Sequence, residues 1–196
     1  MKIVGLDLDG TLVRCNSFPL WVKHVFISLI KDIEVYKAML ILAYYSMRLT
    51  RLVNHAAFKR RLISLDIPNS YNYSFSKLLI GRYVNRPLLN HLASSQPAKV
   101  YITTAAPHCY AQYIPEFLDF PVQAVIATQW INGEFFENFG DKKVVSFKRL
   151  NEGRCDLFCT DHYEDLPMMM WSKEVILVSP KEGTCLLYTS PSPRDS

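Results

Sequence analysis

Hydrophobic and polar positions along the chain change their period twice, which divides it into three stretches. The first is short. Ile3-Val4-Gly5-Leu6 is an apolar run that ends in Asp7-Leu8-Asp9-Gly10-Thr11, and such a run closed by an Asp-Gly turn predicts a strand. From about Phe18 to Leu92 the period is helical. Trp21, Val25, Phe26 and Leu29 recur on one face, then Val35, Met39, Leu42 and Ala43, then Leu49, Leu52, Val53 and Phe58. Three or four helices are expected here, broken at Pro68 and the polar run Asn69-Ser70-Tyr71-Asn72, with Pro87 near the end of the set.

From Lys99 the pattern alternates between strand and helix. Lys99–Thr104 reads as a strand, His108–Phe117 as a helix, Val122–Ala127 as a strand, and Trp130–Phe136 as a hairpin around Asn132-Gly133. A helix is expected over Lys143–Leu150, a strand over Asp156–Thr160, a short helix over Pro167–Trp171 and a last strand over Val175–Val178. This alternation predicts an α/β fold with a parallel sheet covered on both faces. The helical block falls between the first and second strands. It is therefore an insertion beside the carboxyl ends of the strands, where open α/β sheets place their ligand crevice.

The stretch Val35–Met47 raises a membrane question. It is strongly apolar, yet Lys37 interrupts it, Lys31, Asp32 and Arg48 flank it, and it is too short to span a bilayer. A helix buried against its neighbours is the expectation, with a helix lying at a membrane interface as the alternative.

Composition narrows the picture. Apolar residues at 49% and charged residues at 20% belong to a globular chain with one substantial core. A formal charge of +4 suits an anionic substrate but is too weak to argue for nucleic acid. No basic segment followed by an apolar one precedes the first strand, and the five cysteines show no CxxC spacing. Reduced thiols and a cytoplasmic location are expected. The last twelve residues, Cys185–Ser196, read like a translated sequencing adapter. The natural chain is expected to diverge near Thr184, and the tail is expected not to pack.

Three predicted strands end in polar groups: Asp7 and Asp9, Thr104, and Asp161 with Asp165 four residues on. Between the last two lies Lys143, preceded by Gly140-Asp141-Lys142. Paired carboxylates need a proton, a cation or separate tasks. Hard carboxylates without a His or Cys cluster favour Mg²⁺ over zinc. A carboxylate can attack a phosphoryl group when a metal offsets the repulsion, a hydroxyl and a lysine can hold the phosphoryl oxygens, and a second carboxylate can protonate the leaving oxygen. Each residue alone also has a purely structural reading, as strand threonine, solvated lysine or helix-terminal acid.

In this order and spacing, Asp7-Leu8-Asp9-Gly10-Thr11, Tyr101-Ile102-Thr103-Thr104, Lys143 and Asp161-His162-Tyr163-Glu164-Asp165 resemble the haloacid dehalogenase superfamily. More narrowly, the chain resembles the phosphoserine-phosphatase-like branch with a helical cap. The resemblance implies a Rossmann-like core over residues 1–15 and 93–184 and a cap over 16–92. It also implies a Mg²⁺-dependent phosphatase acting on a small-molecule phosphate ester. By position, Asp7 matches the nucleophile, Asp9 the general acid/base, Thr104 the phosphoryl-binding hydroxyl and Lys143 the charge-neutralising lysine, with Lys142 as the competing alignment. Metal ligation is implied for Asp7, for Asp9 through its backbone carbonyl and for Asp161. Asp165 is expected to position that metal site through water or through Lys143.

Two departures bear on substrate. The true phosphoserine phosphatases carry a glutamate nine residues after the nucleophile, where this chain has Asn16, which counts against phosphoserine. Phe58-Lys59-Arg60-Arg61-Leu62 resembles the cap segment that supplies an arginine to a substrate carboxylate, with Arg61 as the match. Thr160 and His162 stand where the family usually has small residues, and His162 is expected at the rim. Two other functions are compatible with the residues: a catalytically weak phospho-ligand-binding or regulatory module, and a head domain acting on a lipid or prenyl phosphate at a membrane.

Overall fold

In the computed structural model, which describes residues 2–150 and 154–178, the first strand is the middle of the sheet. β1 (Ile3–Leu6) pairs in parallel with β2 (Lys99–Pro107) on one side and β5 (Leu157–Thr160) on the other. Outside these lie β3 (Ala124–Ile131) and β6 (Glu174–Leu177), both parallel to their neighbours. β4 (Glu134–Phe136) runs antiparallel at the edge, joined to β3 by a turn in which Asn132 and Gly133 have φ of 50° and 81°. These positive values are what an Asn-Gly hairpin turn requires.

Side-chain alternation sorts the strands into two faces. Val4, Leu6, Val100 and Leu157 pack with Leu88 and Leu92 on one. Tyr101, Phe158 and Phe147 pack with Met168 on the other. Gly5 lies between strands on this second face because a β-carbon there would sit 3.0 Å from the Phe158 ring. The covering helices are α5 (Arg86–Ser94) on the first face and α7 (Asp141–Leu150) with α8 (Leu166–Trp171) on the second. The sheet is thus covered on both faces, as the alternating pattern predicts.

Between β1 and β2 stand five helices, one more than the upper expectation. They are α1 (Ser17–Lys31), α2 (Val35–Leu49), α3 (His55–Ile63), α4 (Asn69–Tyr83) and α5. Three asparagines separate them by capping helix starts: Asn16 accepts from Phe18 N, Asn54 from Ala57 N and Asn85 from Leu88 N. The expected cap boundary at Leu92 falls inside α5, whose Leu88 and Leu92 belong to the layer under the sheet. The insertion proper is α1–α4. It is fixed to the sheet through α6 (His108–Ala111), where Tyr110 OH pairs with Ser17 Oγ at 2.7 Å and Ser76 donates to the Tyr110 carbonyl at 2.7 Å.

α2 departs from its expected burial. Only Ala38 and Ile41 are buried, while Val35, Met39, Leu42 and Leu49 face outward. The apolar stretch is wide enough to cover both sides of the helix, and only one side has neighbours. Among the described residues no helix is long and apolar enough to cross a membrane. The expected adapter-like tail lies outside the described residues.

Candidate active site

Asp7 follows the last residue of β1, and its backbone N–H donates to the Cys159 carbonyl of β5 at 2.9 Å. The chain then turns at Gly10, where φ is 75° and a β-carbon would meet an Asp161 carboxylate oxygen at 2.1 Å. Only glycine fits, both for conformation and for space. That close approach brings the loops after β1 and β5 together, so that Asp7, Asp9, Asp161 and Asp165 line a single cleft of about 660 Å³.

Lys143, in the first turn of α7, reaches into this group. Its Nζ lies 2.8 Å from Asp7 Oδ1 and 2.6 Å from Asp165 Oδ1. Lys142 instead lies over the Phe136 ring, so the geometry brings Lys143 and not its neighbour to the carboxylates. Asp165 has its second oxygen occupied as well, accepting from Thr160 Oγ1 at 2.7 Å. Both of its oxygens are engaged within the protein, which makes it a holder of Lys143.

Asp9 accepts from the backbone N–H of Ser17 at 2.9 Å, at the start of α1. Thr104 lies three residues before the end of β2, which runs on past the strand end expected there. It is buried, and its hydroxyl oxygen accepts from Ala106 N at 3.0 Å while the residue lines the cleft. Sequence reading missed what holds it. Asn138 is fully buried in the loop after β4, and its amide nitrogen reaches Thr103 Oγ1, the Thr104 carbonyl and the Ile126 carbonyl at 3.0–3.1 Å. Its Oδ1 accepts from Ser146 of α7 at 3.0 Å. One side chain therefore ties β2, β3 and α7 together. An isolated asparagine before Phe139-Gly140 carries no periodic signal for that.

The electrostatics are those of an anionic group buried with too little positive charge. Burial pushes the Asp7 carboxyl up to about 8, against the pull of Lys143 and helped by Asp165 and Asp9. Burial also raises Asp9, opposed by its hydrogen bonds with Ser17. Burial alone would lower Lys143, but Asp7 and Asp165 outweigh it and hold the ammonium charged. The donor set is thus short of a cation, and hard oxygen ligands suit Mg²⁺. Among the described residues no three His, Cys, Asp or Glu side chains form a metal-holding group. Two side-chain carboxylates with a backbone carbonyl need no such trio, so the residues fit the implied ion.

The insertion forms the opposite wall with Phe18, His55 and Lys59. Arg61 is elsewhere: it lies over the Tyr44 ring and donates to Met47 Sδ at 3.1 Å. Residues two positions apart on a helix point about 200° apart, so turning Lys59 inward turns Arg61 away. Asn16 borders the cleft, but its side chain is the α1 cap. His162 is at the rim, accepting from Glu164 N at 3.2 Å.

A parallel sheet with its acids gathered at the ends of β1 and β5, facing a helical insertion, defines a Rossmann-like enzyme fold. The sequence model of haloacid dehalogenase-like hydrolases matches residues 4–170, and the chain belongs to that family. A comparison with curated protein sequences gave no match. Among solved structures, a protein of unknown function from Bordetella pertussis Tohama I is similar with a TM-score of 0.69 at 17% identity, over 95% of this chain and 93% of that one. A phosphoserine phosphohydrolase-like protein from Francisella tularensis subsp. tularensis SCHU S4 gives 0.56 at 15%, over 95% and 93%. A phospho-aspartyl intermediate analogue of phosphoserine phosphatase gives 0.51 at 12%, over 96% and 99%. At these identities the likeness is one of fold.

Proposed function

We propose that this chain is a Mg²⁺-dependent phosphomonoester hydrolase that works through an aspartyl-phosphate on Asp7 and acts on a small-molecule phosphate ester. The observation that carries the reading is the buried line Asp7–Lys143–Asp165, with separations of 2.8 and 2.6 Å, beside Asp9 and Thr104 in one cleft.

In the first half-reaction an Asp7 carboxylate oxygen bonds to phosphorus. The bond from phosphorus to the ester oxygen breaks, and that oxygen takes a proton from Asp9. In the second, Asp9 takes a proton from water, whose oxygen attacks phosphorus and releases inorganic phosphate with Asp7 restored. The raised Asp9 carboxyl suits the first role, because it keeps its proton above the ordinary carboxylate range. Thr104 Oγ1 and the Lys143 ammonium stabilise the phosphoryl oxygens in the transition state. Mg²⁺ supplies charge neutralisation between nucleophile and phosphoryl group when bound. Asp7, the Asp9 carbonyl and Asp161 would hold it.

The helical insertion acts as the cap that sets specificity, with Lys59 as its cationic contribution to the cleft. Both the Francisella protein and the phospho-aspartyl analogue carry phosphoserine in their descriptions, but Asn16 argues against phosphoserine for this chain. The test is phosphate release from an aryl phosphate with Mg²⁺, followed by a panel of amino-acid, sugar, nucleotide and lipid phosphates. Asp7→Asn is expected to lower turnover at least about 10³-fold. A variant that keeps full activity removes Asp7 as nucleophile. Phosphate-analogue binding without turnover on any ester would assign the chain to a binding role.

A further inference from the structure

The insertion exposes a row of apolar side chains that the proposed chemistry does not use. On α2 the outward row Val35, Met39, Leu42, Ser46 and Leu49 carries no charge, and its four apolar members are exposed. Ile27 and Ile30 of α1, and Leu52 just past the end of α2, are exposed as well. In the three-residue turn between the helices, Ile33 is 81% exposed and has a φ of 62°. A β-branched residue rarely adopts that left-handed conformation. The turn thus holds a large aliphatic side chain outward where a glycine or asparagine would be unstrained. An apolar patch of this extent marks an interaction site.

Charge decides which partner fits. Residues 17–65 carry eight lysines and arginines against two acids, Asp32 and Glu34, whereas the remainder of the chain carries fourteen against sixteen. Of those eight cations only Lys59 is buried. Lys31 and Lys37 flank one end of the apolar row, where Asp32 and Glu34 also lie and Lys37 pairs with Glu34 at 3.8 Å, and Arg48 and Arg51 flank the other. Two copies meeting through this face would bring surfaces of the same net positive sign together, which opposes association. A sheet of anionic lipid headgroups answers both features. The aliphatic row enters the acyl boundary, the lysine and arginine stems extend to the phosphates, and Tyr36 and Tyr45, 75% and 50% exposed, suit the headgroup level.

We infer that the outer face of α1 and α2 is a docking surface for an anionic lipid bilayer, on which the protein lies without spanning it. The phosphatase reading is independent of this surface, and the measurement needs no turnover. The experiment is flotation of the full chain with vesicles of equimolar phosphatidylcholine and phosphatidylglycerol, and with vesicles of phosphatidylcholine alone. The protein is expected to float with the anionic vesicles at low salt. The bound fraction should fall severalfold in about 0.5 M salt, as screened cations release the headgroups. Met39→Glu with Leu42→Glu should abolish flotation. Met39→Leu with Leu42→Met should keep it, and both variants should retain the circular dichroism of the parent. Absence from the anionic vesicles at low salt overturns the inference, and so does flotation that survives the double glutamate variant. A concentration-dependent dimer that this variant dissociates, with no flotation of the parent, assigns the face to a second copy instead.

Discussion

Lys59 of α3 and Glu137 of the loop after β4 meet at 2.7 Å, and Lys59 also donates to the Ala105 carbonyl at 3.2 Å. The lysine is buried and its partner half-buried, so the pair joins the insertion to the sheet in surroundings less screened than a surface. Because Ala105 follows Thr104, the contact also fixes the distance between the insertion and the part of β2 that lines the cleft.

Replacing Lys59 by methionine keeps its length and removes its charge. The expected result is a rise in KM of roughly tenfold, with kcat changed far less, since ground-state binding and closure are lost but the groups around Asp7 are untouched. Steady-state kinetics on the best ester of the panel reads this directly. A drop in kcat at constant KM would move Lys59 into the chemistry.

Lys143 carries a different expectation. Its ammonium bridges two buried carboxylates, so Lys143→Met removes charge where it develops in the transition state, and kcat should fall by about 10²–10³-fold. Asp165→Asn should lower kcat less, by roughly 10-fold, because Asp165 acts through the position of Lys143. In the double variant the two losses should not multiply, since the second change has no lysine left to misplace. Multiplying losses would mean that Asp165 has a task of its own, such as a metal contact.

The buried acids make stability depend on pH in a stated direction. Burial raises the Asp7 carboxyl from 3.8 to about 8 in the metal-free protein. Between those values the folded state binds a proton that the unfolded state has lost, so stability falls as pH rises across that window. Thermal unfolding without metal should therefore show Tm decreasing from about pH 5 to pH 8. Added Mg²⁺ should raise Tm most at the upper end, where Asp7 is readiest to ionise and bind it. Equal Mg²⁺ effects at both ends would separate the ion from Asp7.

What could be read from the sequence follows from how local each signal is. Asp7, Asp9 and Gly10 follow the end of β1, and Thr104 lies where the apolar run of β2 meets polar residues although the strand continues to Pro107. An apolar run meeting polar residues is visible in sequence. The Asn132-Gly133 hairpin was equally local. Lys143 needed a third party, since spacing alone left Lys142 in contention and only the depth of the Asp7–Asp165 pair separates them. Arg61 and Lys59 show a limit of motif matching. A helix segment can be aligned, but its rotation is set by packing, and Phe58 and Leu62 turn Lys59 toward the cleft. The exposure of α2 had no local signal, because an apolar stretch reads alike whether one side or both are covered.

Asn138 is the clearest case of a residue whose importance lies only in its partners, and it yields a test that distinguishes donor from shape. Its amide donates toward two backbone carbonyls, of Thr104 and Ile126, and its oxygen accepts from Ser146. Asn138→Ala leaves those groups buried without partners, at a cost of about 3 kcal/mol. Asn138→Asp preserves the shape almost perfectly, yet it replaces a donor facing two carbonyls with an acceptor. The isosteric change should therefore destabilise more than the truncation, lowering the urea midpoint further than alanine does, and the aspartate variant should recover as pH falls and its carboxyl regains a proton to donate. Because the same amide fixes the Thr104 carbonyl and, through Ser146, the first turns of α7, both variants should also lower kcat. An aspartate variant as stable as the parent would show that the amide faces the other way, with its oxygen and not its nitrogen toward the strands.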